Sequence, residues 1–125
     1  MSAGLLKAVC IQPGKAAYQI MLANQLDDLQ EAVGGMIEFT YPFDEDGICL
    51  LGNDEAKLIG MEGCRRIGSA VYAGPIYVMG YGADGECKSL TDEQVDRYTQ
   101  MFAVPEDIPK EEVEADMGFT FMSFR

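Results

Sequence analysis

Short apolar runs separated by strong turn signals most limit how this chain can fold. Runs with the composition of β-strands cover residues 5–12, 17–22, 36–41, 48–51, 69–73 and 76–81. Asp46-Gly47 is a typical two-residue hairpin turn, so the runs on either side of it are expected to pair as antiparallel strands. Pro13-Gly14 and Gly74-Pro75 interrupt the chain at other boundaries. The pattern predicts a mostly antiparallel sheet of four to six strands.

Two segments, residues 25–33 and 92–102, have helical periodicity with recognisable end signals. Asn24 is the predicted N-cap of the first, and Gly34-Gly35 ends it. Thr91 and Gln94 form a capping box at the start of the second. We therefore predict an α+β fold in which two helices pack on the sheet. A short third helix at 109–116 is an alternative to an acidic loop.

The charge balance limits the classes of partner. The chain of 125 residues has 9 basic and 21 acidic side chains, a formal net charge of −12. A field of that sign disfavours binding to nucleic acid or to an anionic membrane. No apolar run approaches the ~20 residues that a membrane helix needs, and the first residues lack the apolar core of a signal peptide. We expect a cytoplasmic protein that contacts neither a membrane nor nucleic acid directly.

The cysteines and the absence of histidine restrict the chemistry. Cys10, Cys49, Cys64 and Cys87 show no C-x-x-C spacing, and the chain has no histidine. We therefore expect reduced thiols and neither a metal nor a cofactor. Without histidine, Ser-His and Cys-His nucleophile activation are excluded, and no catalytic residue is predicted.

Two motif-like stretches are interpreted as turns. Residues 80–85 satisfy G-x-G-x-x-G, but the next helix is expected only at residue 92, too late to meet a pyrophosphate. Asp44-Glu45-Asp46-Gly47 resembles part of a calcium loop, but Pro42 and Asn53 would fall where carboxylates are required. Both stretches are predicted to be hairpin tips.

The segment 49–66 is the predicted place of a specific interaction. Lys57, Arg65 and Arg66 are three of the five basic residues before residue 84, and Asn53 lies close to them in sequence. Lysine offers a point charge and arginine a bidentate fork, which suit carboxylate or phosphate groups. We predict ligand binding by Asn53, Lys57, Arg65 and Arg66. The alternative is a structural turn with surface ion pairs.

Several of these stretches together resemble domain-of-unknown-function family 3846. The resemblance runs in order from about residue 6 to residue 102 and is carried by Pro13-Gly14-Lys15, LQEAVGGMIE (29–38), NDEAKLIG (53–60), GADG (82–85) and SLTDEQ (89–94). It implies a small protein of clostridial and related gut bacteria, their mobile elements or their phages, without an established activity. Family members tend to have an Asn-Arg pair where this chain has Gly63-Cys64-Arg65-Arg66.

We predict one domain, with a family-like core over 1–104 and an acidic loop plus Phe-rich tail over 105–125. Residues 84–125 carry eleven acids and four bases, net −7, against net −5 for residues 1–83. The tail, GFTFMSFR (118–125), is expected to add an edge strand or to act as an apolar arm. A homodimer through this tail is one alternative for the oligomeric state.

Three functions remain open from the sequence. The first is a non-enzymatic accessory protein of a mobile element or phage that binds a protein or small anionic ligand at 53–66. The second is an anti-restriction or anti-defence protein whose acidic surface imitates DNA. The third is a small enzyme acting on a nucleotide, because Lys57 and two arginines lie near carboxylates in the sequence.

Overall fold

The computed structural model describes residues 4–117 and contains two sheets and three helices. The larger sheet contains six strands: β1 (Leu5–Ile11), β2 (Tyr18–Ala23), β3 (Ile37–Thr40), β4 (Ile48–Asn53), β7 (Ile76–Tyr81) and β8 (Cys87–Lys88). The smaller contains β5 (Gly63–Ile67) and β6 (Ala70–Ala73). The helices are α1 (Leu26–Val33), α2 (Asp92–Met101) and α3 (Lys110–Asp116). The predicted α+β fold is confirmed.

The larger sheet is antiparallel, in the order β2-β1-β7-β4-β3, with β8 paired to β7. Hairpins join β1 to β2 and β3 to β4. The antiparallel pairing predicted across Asp46-Gly47 is confirmed, but the connection covers residues 41–47 and is longer than a two-residue turn. Gly47 has a φ of 80°, which suits glycine in the β3–β4 turn. The G-x-G-x-x-G stretch forms the β7–β8 turn, where the amide of Gly82 donates to the carbonyl oxygen of Glu86. The hairpin interpretation of that motif is therefore confirmed.

Helices cover both faces of the larger sheet. The side chains of β1 lie alternately on the two faces of the sheet. Ala8 and Cys10 pack in the apolar cluster that includes α1, while Val9 and Ile11 pack in the cluster that includes α2. Because a strand's side chains alternate, a sheet covered on both faces needs apolar residues at consecutive positions. This explains the consecutive buried apolar residues at 8–11, 48–51 and 76–79 in β1, β4 and β7.

The two main helices begin for different reasons. Thr91 and Gln94 cap α2 reciprocally, so the predicted capping box is confirmed. The predicted cap of α1 by Asn24 is wrong: the N-cap is Gln25, without a side-chain cap bond. The backbone of Asn24 instead continues the sheet, where its amide donates to the carbonyl oxygen of Gly4. Gly34 ends α1 with a φ of 82°, as predicted.

The smaller sheet and α3 form a further layer, which packs through Cys64 on the same side of the larger sheet as α2. β5 was not predicted, because apolar and polar residues do not alternate regularly in its sequence, GCRRI. Ile108 and Val113 lie buried against Ala56, Val71 and Ala73 in this layer. Part of the predicted acidic loop is thus a packed helix, as the alternative prediction allowed.

Gly63 allows the chain before α3 to pack closely on β5. A Cβ atom on Gly63 would lie 2.8 Å from the Cβ of Ile108 and 3.0 Å from Cγ2 of Val113. Real Cβ contacts are longer, so a larger residue would force the segment outward.

The structure also bears on the predictions for the cysteines, for membrane helices and for the C-terminal tail. All four cysteines are free, and Cys10, Cys49 and Cys64 are buried. No helix within residues 4–117 is long and apolar enough to cross a membrane. The predicted tail strand lies at 118–125, outside the described residues.

Candidate functional site

The four predicted ligand residues do not form one exposed cluster. Each is bonded to another part of the protein, and the bonds differ in kind. Arg65, Arg66 and Asn53 hold segments of the chain together. Asn53 and Lys57 line a cleft.

Arg65 lies inside the protein, with none of its surface exposed. One terminal nitrogen, Nη2, donates to the carbonyl oxygens of Lys15 at 2.6 Å and Phe102 at 3.0 Å. The other, Nη1, donates to Cys64 O at 2.8 Å and Gln12 O at 3.4 Å. The two terminal nitrogens have protein acceptors, while the buried Nε has none among the described residues. Because none of its surface is exposed, we leave Arg65 out of the proposed site.

Arg66, the next residue, points outward and holds the segment that leads into α3. Its Nε and Nη2 atoms donate to the two carboxylate oxygens of Glu112 at 2.6 and 2.7 Å. Its Nη1 atom donates to Glu106 at 2.9 Å. This bidentate pair is the geometry that arginine offers to a carboxylate. The carboxylates that Arg66 binds therefore belong to this chain and not to a ligand.

Asn53 is buried at the end of β4 and ties three segments together. Its side-chain nitrogen donates to the carbonyl oxygen of Val33, the last residue of α1, at 3.2 Å. Its side-chain oxygen accepts from the amide of Glu55 at 2.7 Å, which starts the turn over residues 54–60. Gly35 approaches so closely that a Cβ atom there would lie 2.8 Å from the Asn53 side-chain nitrogen.

Lys57 is the predicted residue that lines open space together with Asn53. A cleft of about 390 Å³ lies between the edge of the larger sheet and the smaller sheet. Lys57 Nζ donates to Asp116 Oδ2 at 2.6 Å on one side of this cleft, and the same oxygen accepts from the amide of Val71 at 3.1 Å. The ammonium group is therefore already paired.

The cleft is lined by both apolar and polar residues. Gly52 and Ile76 belong to the lining contributed by the larger sheet, and Ala70 to Ala73 form the side contributed by β6. Thr40 and Tyr72 face each other from the two sheets, with their hydroxyl oxygens 3.1 Å apart. Because one hydroxyl donates to the other, the remaining hydroxyl hydrogen and the free lone pairs are open to a bound group.

The lining is acidic. Glu38, Asp54 and Asp116 contribute three carboxylates, and Lys57 is the one basic side chain among the described lining residues. Burial raises the pKa of Glu38 above its ordinary value, and the charge of Asp54 raises it further, against a smaller opposing effect of Lys57. Glu38 and Asp54 are exposed, and within residues 4–117 neither forms an ion pair with a basic side chain.

The sequence prediction did not include Glu38, Thr40 or Tyr72. Glu38 and Thr40 occupy alternate positions of β3, and this alternation was the available signal that they share a face. Tyr72 reaches them only because the smaller sheet folds back, a contact of residues 32 positions apart in the chain. In the described part of the chain, no group of three or more His, Cys, Asp or Glu residues is arranged to hold a metal ion.

The fold and the cleft define a small α+β protein with a helix on each face of an antiparallel sheet. The chain matches the family model described as "Domain of unknown function (DUF3846)" over residues 6–103. It belongs to this family, as the resemblance predicted. The match ends before α3, so the segment held by Arg66 and Lys57 lies beyond it. Searches of curated proteins and of solved structures found no match.

Proposed function

We propose that this chain is a non-enzymatic binding protein that accepts a cationic group, an ammonium on a short apolar chain, in the cleft beside β3. The observation that carries the proposal is the pair of carboxylates of Glu38 and Asp54 in the lining, where Lys57 is already engaged by Asp116. Burial is the main cause that raises the pKa of Glu38, and a cation entering the cleft would offset the second cause, the repulsion by Asp54.

The size and lining support this class of ligand. At about 390 Å³ the cleft is near the lower end of the range for small-molecule sites. Its apolar lining residues suit methylene groups, while the Thr40 and Tyr72 hydroxyls can accept hydrogen bonds from an ammonium group. A free amine and the lysine side chain of a partner protein share this chemistry.

The proposed ligand is cationic, whereas the sequence predicted a protein or a small anionic ligand. The anionic ligand was expected from Lys57, Arg65 and Arg66 as a group. Arg65 is buried with its terminal nitrogens bonded to carbonyl oxygens, and Arg66 is paired with carboxylates, so neither guanidinium is presented to a ligand. The same pairing removes the support for an enzyme acting on a nucleotide.

The net charge of −12 supports the wider setting of the proposal. An acidic protein attracts cationic partners at a distance and accelerates their encounter. We include in the proposal that the protein acts in the cytoplasm as an accessory factor of a mobile element or phage. The setting implied by the family resemblance supports that part.

Calorimetric titration with n-butylammonium and with the peptide acetyl-Gly-Lys-Gly-amide tests the proposal. Both should bind, and butyrate, a matching anion, should not. Glu38→Gln should weaken binding about tenfold, because it removes a charged acceptor from the lining. Glu86→Gln, an exposed site away from the cleft, changes the net charge equally and should leave the affinity unchanged. Binding of the peptide but not of the free amine would identify a protein partner as the source.

Acidic mimicry of DNA is the second candidate, and the helices favour it. The first turn of each helix carries two acidic residues, Asp27 and Asp28, Asp92 and Glu93, and Glu111 and Glu112. If the acidic surface imitates DNA, cations should bind over the whole surface and not specifically in the cleft. Glu38→Gln and Glu86→Gln would then weaken binding equally, and that result would reject the cleft.

A further inference from the structure

β2 forms an open edge of the larger sheet. It lies at one end of the strand order, and β1 is its paired neighbour among residues 4–117. The pairing runs without a break from Tyr18 opposite Cys10 to Ala23 opposite Leu5. An edge strand leaves alternate N–H and C=O groups facing outward, where another strand can bind them.

The sequence of β2 lacks the features that usually protect an edge. YQIMLA has no charged residue, proline or glycine, although the whole chain carries a net charge of −12. Edge strands normally discourage pairing by charges, prolines or bulges. Apolar side chains around this edge are exposed as well: Leu5 by 62%, Tyr18 by 41%, Met21 by 45% and Leu26 by 57%. The edge therefore suits a second uncharged strand.

Charges at the two ends of β2 select the partner and its direction. Lys15 precedes the strand, and Asp27 and Asp28 follow it. Antiparallel pairing of two copies would bring the basic end of each toward the acidic end of the other, whereas parallel pairing would bring like charges together. Lys15 lies in the turn before β2 and Asp27 in the first turn of α1, so the two charges flank the strand at its opposite ends.

We propose that β2 pairs antiparallel with β2 of a second copy, so that one sheet continues across a two-fold axis. The two copies would present the same surface to each other, which is the usual form of a closed dimer. The cleft lies beside β3 at the opposite end of the strand order, so the dimer leaves both clefts open. This inference is independent of the proposed function.

Light scattering of the full chain over a range of concentrations tests the dimer. The expected mass at high concentration is twice the 13.7 kDa of one chain. Added salt screens both the attraction of Lys15 to Asp27 and the repulsion between two chains of net charge −12. Because the repulsion involves far more charge, the net effect of salt should be a stronger association. A cationic ligand in the cleft should instead bind more weakly as salt rises, so the two proposals can fail separately.

Met21→Glu is the matched disruptive variant. Lys7 lies opposite Met21 on β1, so the new carboxylate has a favourable neighbour within its own chain. Across the two-fold axis it would meet its own copy, and the dimer should dissociate about tenfold more readily. Met36→Glu is the control, because Met36 is 60% exposed and lies outside β2. Amide exchange of β1 checks that both variants remain folded.

A charge exchange tests the direction of pairing. Lys15→Glu should weaken the dimer, and adding Asp27→Lys should restore it. Three results would overturn the proposal: a parent chain that stays monomeric at all concentrations, equal effects of Met21→Glu and Met36→Glu, or a dimer lost only on deletion of residues 118–125. The last result would assign dimerisation to the tail.

Discussion

The guanidinium of Arg65 lies at the junction of the β1–β2 turn, β5 and the end of α2. Phe102, whose carbonyl oxygen it binds, is the C-cap of α2, and the last turn of that helix has no basic residue of its own. The C-terminal end of a helix carries partial negative charge, which a cation stabilises. Arg65 therefore supplies from β5 the charge that α2 lacks, and joins the two layers.

Replacement of Arg65 by lysine should destabilise the protein although the charge is kept. Lysine presents one compact donor group and cannot reach carbonyl oxygens on several sides at once. We expect the free energy of unfolding to fall by about 2–4 kcal/mol, measured by urea denaturation. Arg66→Lys is the control at the next, exposed position and should shift the transition far less. Equal shifts for both variants would contradict the different roles of the two arginines.

The different positions of Arg65 and Arg66 could not be predicted from the sequence. Regular alternation in β5 would expose either Cys64 or Arg65, yet both are fully buried. The register of β5 against β6 shifts between Gly63 and Arg65, and this irregularity turns two consecutive side chains inward. No residue pattern in GCRR marks such a bulge.

The segment of residues 105–117 is held onto the smaller sheet by two kinds of contact. Ile108 and Val113 supply buried apolar surface, and Glu112 and Asp116 pair with Arg66 and Lys57. The bond from Arg66 lowers the pKa of Glu112 below its ordinary value. For Asp116, burial acts to raise the pKa, but the bonds from Lys57 and from the amide of Val71 outweigh it and the net shift is downward.

Acid should release α3 before it unfolds the larger sheet. A carboxylate whose pKa is lower in the folded state stabilises that state above the unfolded pKa, about 4, and this contribution is lost as the pH falls through the lower folded value. Amide exchange should show that residues 110–116 lose protection below about pH 4 while β1 and β7 remain protected. Protection of α3 that persists unchanged at about pH 2 would contradict the electrostatic part of this account.

Glu112→Gln provides the matched comparison for the same element. It should lower the protection of α3 at neutral pH and reduce its acid dependence, because the charged pair with Arg66 is lost. Glu111→Gln changes the charge equally at the preceding, exposed residue and should have little effect.

Most of the main sheet and both long helices could be predicted because their signals are local. Each of these signals spans only a few residues: the alternating or continuous apolar runs, the turn at Asp46-Gly47, and the capping box at Thr91. The smaller sheet and the cleft depend on contacts between distant parts of the chain. The bond between Thr40 and Tyr72 and the pairing of Lys57 with Asp116, 59 positions apart, join such parts. The sequence grouped Asn53 and Lys57 with Arg65 and Arg66, whereas in the structure they line a cleft with Glu38, Thr40 and Tyr72.

The whole molecule combines a strongly acidic exterior with basic residues that bind its own chain. Of the basic side chains in segment 53–66, Lys57 and Arg66 pair with carboxylates and Arg65 with carbonyl oxygens. The acidic lining of the cleft is thus left without a compensating cation of its own, apart from the paired Lys57. From this imbalance we infer a cationic ligand.

Mapping of n-butylammonium binding by ¹⁵N–¹H correlation spectra tests that inference most directly. Amide shifts should converge on residues around the cleft, those of β3, the 54–58 turn and β6, and saturate with a single affinity. In Glu38→Gln the same shifts should require about tenfold more ligand. Shifts spread over the acidic first turns of α1, α2 and α3, unchanged in Glu38→Gln, would contradict a specific site in the cleft.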